Sequence, residues 1–239
     1  MDDSSDNTTE AHGDLLTPVK AAALRLLGKL GAAELSLDAV AEESGRSRAD
    51  VERVFAHRDE LLTALLIDAY NESAAAMEDA DRAAAESGAT AGGRFLAAAR
   101  ALRAWSIADP GRFALVYGSP VPGYHAPADT VGPASRIPAV LAGAVRGALE
   151  AGELTPPRRA VPGPPLVRPE AVELFGGVPE APYGDLIERG IVLWSNLIGL
   201  LAFEVFSRTH DSVRDQAAFF DYGIAVAAES VGLDVPLTE

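Results

Sequence analysis

The residues best suited to chemistry lie within one short stretch. Between Gly45 and Arg58 stand four arginines, Arg46, Arg48, Arg53 and Arg58, together with His57, against only Asp50 and Glu52. A guanidinium offers a planar fork of donors that fits phosphate or the O6/N7 edge of guanine, so the stretch suits contact with a nucleic acid. In a helix that turns Val51, Val54 and Phe55 inward, the 100° step per residue sends Ala49 and Arg53 to the opposite side, flanked by Arg48, Asp50 and Glu52. Arg53 is then placed for a guanine edge, and small Ala49 allows close approach or touches a thymine methyl. Ser36 and Ser47 stand where helices should begin; their hydroxyls and the first-turn amides suit phosphate, because a helix N-terminus carries partial positive charge. His57 and Arg58 would extend that clamp. The same arginines could instead solvate a helix surface and pair with Glu52 or Asp50, and spacing alone leaves both readings open.

Other chemistries find little support. Ser119, His125 and Asp129 have the residue types of a hydrolytic triad, but they share one loop and lack a Gly-x-Ser-x-Gly elbow. His12, His57, His125 and His210 are scattered without metal-ligand spacing, and no glycine-rich phosphate loop occurs. There is no cysteine, hence no disulfide and no thiolate site, with a lean toward the cytoplasm. The expectation is a protein that is not an enzyme and needs no cofactor and no metal.

The elements that must position the arginines read as helices. From Pro18, the residues Val19, Ala22, Ala23, Leu26, Leu27 and Leu30 follow the i, i+3, i+4 rhythm, with Thr17 as cap and Gly31 as stop. Ser36 caps a second, short helix that buries Leu37, Val40 and Ala41 and ends before Gly45. Only Gly45, Arg46 and Ser47 separate it from the arginine-bearing helix, a helix-turn-helix arrangement of the kind that enters a DNA major groove. A long fourth helix starts near His57–Asp59 and extends to Glu86. Helical patterns continue over Phe95–Ala108, Pro110–Tyr117, Pro133–Ala151, Tyr183–Arg208 and Ser212–Val231, with proline-rich breaks at Gly118–Pro133 and Thr155–Pro169. No strand alternation is present, so the expected fold is all-α. Its expected parts are an acidic, disordered tail (1–16), a helix-turn-helix DNA-binding domain (17–60) and a larger helical domain (61–239). The uncharged run Gly190–Phe203 has fourteen residues, short of the roughly twenty needed for a bilayer span, so no membrane partner is expected.

Length and charge bound the answer. The 239 residues allow one large or two modest domains, and 48% hydrophobic with 23% charged residues is ordinary for a globular chain. Net charge is −15, which argues against a polyanionic partner. Divided along the chain it is −5 in residues 1–16, −1 in 17–60 and −9 beyond, so the acidity lies mostly outside the arginine-bearing region.

The stretch "AAALRLLGKLGAAELSLDAVAEESGRSRADVERVFAHRDELLTAL" resembles the N-terminal domain of the TetR family of transcriptional regulators in its order of helix, Gly turn, Ser-capped helix, Gly-x-Ser turn, recognition helix ending in Phe, and Glu-Leu-Leu. The resemblance implies a homodimer that binds a palindromic double-stranded DNA operator and releases it when a small molecule fills the C-terminal domain. Three positions depart from the family pattern. Glu52 stands for a common phosphate-touching tyrosine, Ala56 for a frequent proline and Arg58 for the usual lysine. "ADPGRFALVYGSPVPGYHAPAD" and "WSNLIGLLAFEVF" resemble a subgroup whose helix carries Trp-x-x-x-His-Gly; Trp194 and Gly199 fit, but Ile198 replaces the histidine.

Aromatic and apolar residues suggest where an effector would bind: Trp105, Phe113, Tyr117, Tyr124, Trp194, Ile198 and Phe203, walls suited to a small hydrophobic molecule. For the dimer interface the expected residues are Ile191, Leu197 and Leu201 on one helix and Val213, Ala217, Phe220 and Ile224 on the last, a near-heptad stripe. Glu52 and the net charge motivate an alternative, a TetR-like ligand-binding or interaction protein that has lost sequence-specific DNA binding.

Overall fold

The structure, a computed structural model, describes residues 4–159, 161 and 166–237. Ten α-helices run through these residues: α1 Ser4–Leu30, α2 Leu37–Ser44, α3 Arg48–Glu52, α4 Arg58–Glu86, α5 Ala91–Ala108, α6 Pro110–Tyr117, α7 Val131–Glu150, α8 Pro169–Phe175, α9 Leu186–Val205 and α10 Gln216–Ala228. Among the described residues the only β-pairing is an isolated antiparallel bridge between Leu154 and Leu233. The expected all-α class is observed.

The chain divides into two compact units. The first comprises the residues up to Asn71 together with Ala108–Ala134; the second comprises Glu72–Ile107 and the chain from Ser135 onward. This differs from the expected boundary at residue 60, because α6 and the loop after it belong with the N-terminal helices. Leu115, Val121 and Tyr124 pack against a core formed by Val19, Ala22 and Ala23 of α1, Val40 of α2, Val51 of α3 and Leu61, Leu62 and Leu65 of α4. Each such Val or Leu, fully buried, contributes about 1.5–3 kcal/mol. The approach of α6 is close enough to require glycine: a Cβ on Gly111 would lie 2.9 Å from the backbone nitrogen of Gly28.

Helix α1 also departs from expectation. It begins at Ser4, so the segment read as a disordered tail is helical from that residue and Thr17 and Pro18 lie inside the helix. Leu15 supplies the reason: it is buried in the same core as Val19 and extends the apolar face one turn N-terminal to the proline. Residues 1–3 lie outside the described residues.

In the second unit, bidentate ion pairs link the helices. Arg94 of α5 holds Asp81 at 2.9 and 2.8 Å, Arg100 holds Asp221 at 3.0 and 2.6 Å, and Arg136 of α7 holds Glu78 at 3.0 and 2.6 Å. Arg103 engages Glu204 of α9 in the same fork geometry. The core beneath them includes Phe95, Leu102, Ile137, Leu193, Leu197, Leu201, Phe220 and Ile224. Helix α8 begins on the last residue of the expected linker at Thr155–Pro169, whose residues 160 and 162–165 lie outside the described residues.

Helix α9, at 20 residues, is long and apolar enough to cross a membrane by length and composition. The expectation from its uncharged run differs because a run stops at each charge, whereas α9 keeps apolar residues outside Gly190–Phe203. It carries Glu204, paired with Arg103, and Arg189, paired with Asp185.

Candidate nucleic-acid interface

The geometry of α2 and α3 is fixed by short polar residues at their ends. Ser36 accepts from the Ala39 amide at 3.2 Å at the start of α2, and Gly45 ends it in the left-handed conformation at φ 65°, which a side chain would disfavour. Ser47 opens α3 with a capping box: its Oγ accepts from the Asp50 amide at 3.1 Å, while its own amide donates to Asp50 Oδ2 at 3.2 Å. The Ser47 hydroxyl, the Arg53 guanidinium and the Ser47 amide, in that order, hold the Asp50 carboxyl below the ordinary carboxylate range. Both serines therefore cap their helices from within the chain.

With Val51 buried, Ala49, Glu52 and Arg53 are exposed, as the helical step requires. Arg46 is also exposed and makes no ion pair among the described residues. The other two arginines of the outward face meet carboxylates. Arg48 reaches Asp38 of α2 through Nη1 at 2.9 Å and Glu52 through Nε at 2.9 Å, and Arg53 pairs with Asp50. Both sequence readings are thus realised together: the arginines face outward and they are paired.

His57 is exposed, and its Nδ1 accepts from the Glu60 amide at 3.2 Å. Arg58 is placed differently from the expected phosphate clamp. Its Nε donates to the Leu35 carbonyl at 2.7 Å, and its Nη2 to the carbonyls of Ala32 and Ala33, both at 2.9 Å. The side chain stitches the first residue of α4 to the connection between α1 and α2. Spacing shows on which side a residue lies, but not that three main-chain acceptors await it there.

Comparison with known proteins gives the family. Residues 95–227 match the family model described as the tetracyclin repressor-like C-terminal domain. HTH-type transcriptional regulators of Mycobacterium tuberculosis and Mycobacterium bovis are each 37% identical to this chain over 196 residues, covering 80% of it and 81% of the relative. The chain belongs to the TetR family of transcriptional regulators. Among solved structures, the regulatory protein SCO4313 is 31% identical, with a TM-score of 0.66, covering 94% of this chain and 98% of that one. A Rhodococcus sp. RHA1 protein of unknown function is 25% identical, with a TM-score of 0.63 over 91% of this chain and 93% of that one. The curated relatives are transcriptional regulators, a class without enzymatic activity.

The structure divides the expected effector residues between the two units. Phe113, Tyr117 and Tyr124 lie in the first unit: the Phe113 and Tyr117 rings are 5.2 Å apart, and the Tyr124 hydroxyl is 2.9 Å from Thr63 Oγ1. Burial raises the Tyr117 hydroxyl far above the ordinary phenol value. Trp105, Trp194, Ile198 and Phe203 belong to the second unit. There Phe203 is 56% exposed and lines an open cleft of about 770 Å³ with Val192, Asn196, Gly199, Leu200 and Phe219. It is therefore a surface residue rather than the wall of an enclosed pocket.

The expected dimer stripe is also corrected. Leu197, Leu201, Phe220 and Ile224 are buried within their own unit, Val213 is half-buried, and only Ile191 and Ala217 are exposed. The large apolar residues that α9, α10 and the turn after α9 do expose are Ile191, Val192, Phe203, Phe206, Phe219, Tyr222 and Val226. Both helices are apolar on several sides, and periodicity cannot say which side their own core takes.

Proposed function

We propose that this TetR-family regulator is a cytoplasmic repressor that binds a palindromic operator as a homodimer and releases it when a small hydrophobic effector occupies the C-terminal half. The observation that carries the reading is α3: a short helix capped at both its own and its neighbour's start, its apolar side buried, and Ala49 and Arg53 turned out for base edges. Ser36, Ser47 and His57 flank it for phosphate. The exposed apolar residues of α9 and α10, two helices that pack on each other, support a two-fold interface of four helices. The Arg103–Glu204 ion pair and the hydrogen bond from Arg189 to the Ser230 carbonyl, which tie α9 into its unit, support a soluble bundle rather than a membrane span. The indole N–H groups of Trp105 and Trp194 are both buried without an acceptor among the described residues, which favours an effector that carries hydrogen-bond acceptors.

Selection from a random duplex pool by the purified protein tests this reading. An inverted repeat is expected, and Arg53→Ala should weaken binding to it about 10–100-fold while changing random-duplex binding far less. The pairing of Arg48 and Arg53 with carboxylates favours a second reading, a relative that has lost sequence-specific DNA binding. A pool that enriches no inverted repeat would decide for it.

A further inference from the structure

The half-exposed Arg48 is held by two carboxylates, neither of which closes a capping hydrogen bond. Asp38 stands in the first turn of α2 and Glu52 ends α3; their oxygens lie 2.9 Å from Nη1 and 2.9 Å from Nε of Arg48, so one cation joins both helices. The contrast with Asp50 is instructive, because Asp50 also closes the capping box and cannot be neutralised without loosening α3. Asp38 and Glu52 cap nothing.

We propose that Asp38 and Glu52 are specificity-determining residues that keep Arg48 off the phosphates of unselected DNA. The inference rests on the proposed operator binding. A phosphate that takes Arg48 must draw it from two carboxylates and then face both of them, and each phosphate left uncontacted is one fewer counterion released. The exposed face of Arg46, Arg48 and Arg53 against Asp38, Asp50 and Glu52 is formally neutral, so little general attraction to DNA remains. An exposed pair is nevertheless weak enough to open where a base edge offers a bidentate partner in register. The carboxylates thereby suppress random binding more than operator binding.

The test measures affinity for a random duplex and for the selected inverted repeat, by fluorescence anisotropy across a series of salt concentrations. Four proteins are compared: the wild type, R48A, D38N/E52Q and the triple variant. D38N/E52Q should tighten random-duplex binding about tenfold and steepen the log-affinity against log-salt slope by about one unit, as expected for one added phosphate contact. R48A should weaken random-duplex binding about tenfold more in the D38N/E52Q background than in the wild type. An R48A effect of equal size in both backgrounds, or a D38N/E52Q slope equal to the wild-type slope, would overturn the proposal. Should D38N/E52Q fail to fold by circular dichroism, the single variant E52Q carries the same comparison. Absence of binding to either duplex by every protein would overturn the operator reading itself, a different outcome from binding without the R48A coupling.

Discussion

Asp50 shows how much a single side chain carries in so short a helix. Its carboxylate receives the Ser47 hydroxyl at 2.7 Å and the Ser47 amide at 3.2 Å, and pairs with Arg53. Because its folded pKa is lowered, the stabilisation is present above the unfolded value of about 4 and is lost as pH falls through the lower folded value. The midpoint of thermal unfolding, followed by circular dichroism, should therefore fall on acidification below about pH 4. In D50N it should be lower at neutral pH and less dependent on acid, and superimposed curves for the two proteins would refute the assignment. At this scale the sequence was legible where a residue acts on its own helix. Ser36 and Ser47 as caps, Gly45 as a left-handed stop and Arg53 as an outward residue all follow from local spacing. It was not legible for Arg58, whose acceptors lie 23 to 26 residues away at Leu35, Ala33 and Ala32.

Among the elements, helix existence followed from periodicity while the choice of partner did not. The predicted helix Pro110–Tyr117 matches α6 at both ends, since Asp109 accepts from the Arg112 amide and proline suits the first helical position. Nothing local says that α6 packs on α1; that depends on Gly111, whose missing Cβ makes room for the backbone of Gly28, 83 positions earlier in the chain. Gly111→Ala should force the two backbones apart and cost about 1–3 kcal/mol, measured by denaturant unfolding. An unchanged midpoint would mean that α6 can shift without loss. The apolar stripes of α9 and α10 were similarly ambiguous: Leu197 and Phe220 serve their own core, while the exposed Val192 and Tyr222 were not singled out in the sequence.

For the molecule as a whole, the exposed apolar residues of α9 and α10 predict assembly. Charge placed there by Val192→Asp with Tyr222→Asp should convert a dimer to a monomer by light scattering, with far-UV circular dichroism unchanged and affinity for an inverted repeat lowered, because two linked half-sites are then read singly. A dimer that survives both substitutions would place the interface elsewhere. The discontinuous make-up of the first unit bears on a practical matter, the making of chimeras between regulators. A reading head cut from this chain at residue 60 would leave Leu65, Leu115, Val121 and Tyr124 behind and expose the apolar surface they cover. A head transplanted onto a foreign effector domain must bring residues 61–71 and 108–134 with it, so this regulator's two halves cannot be exchanged at a single splice point.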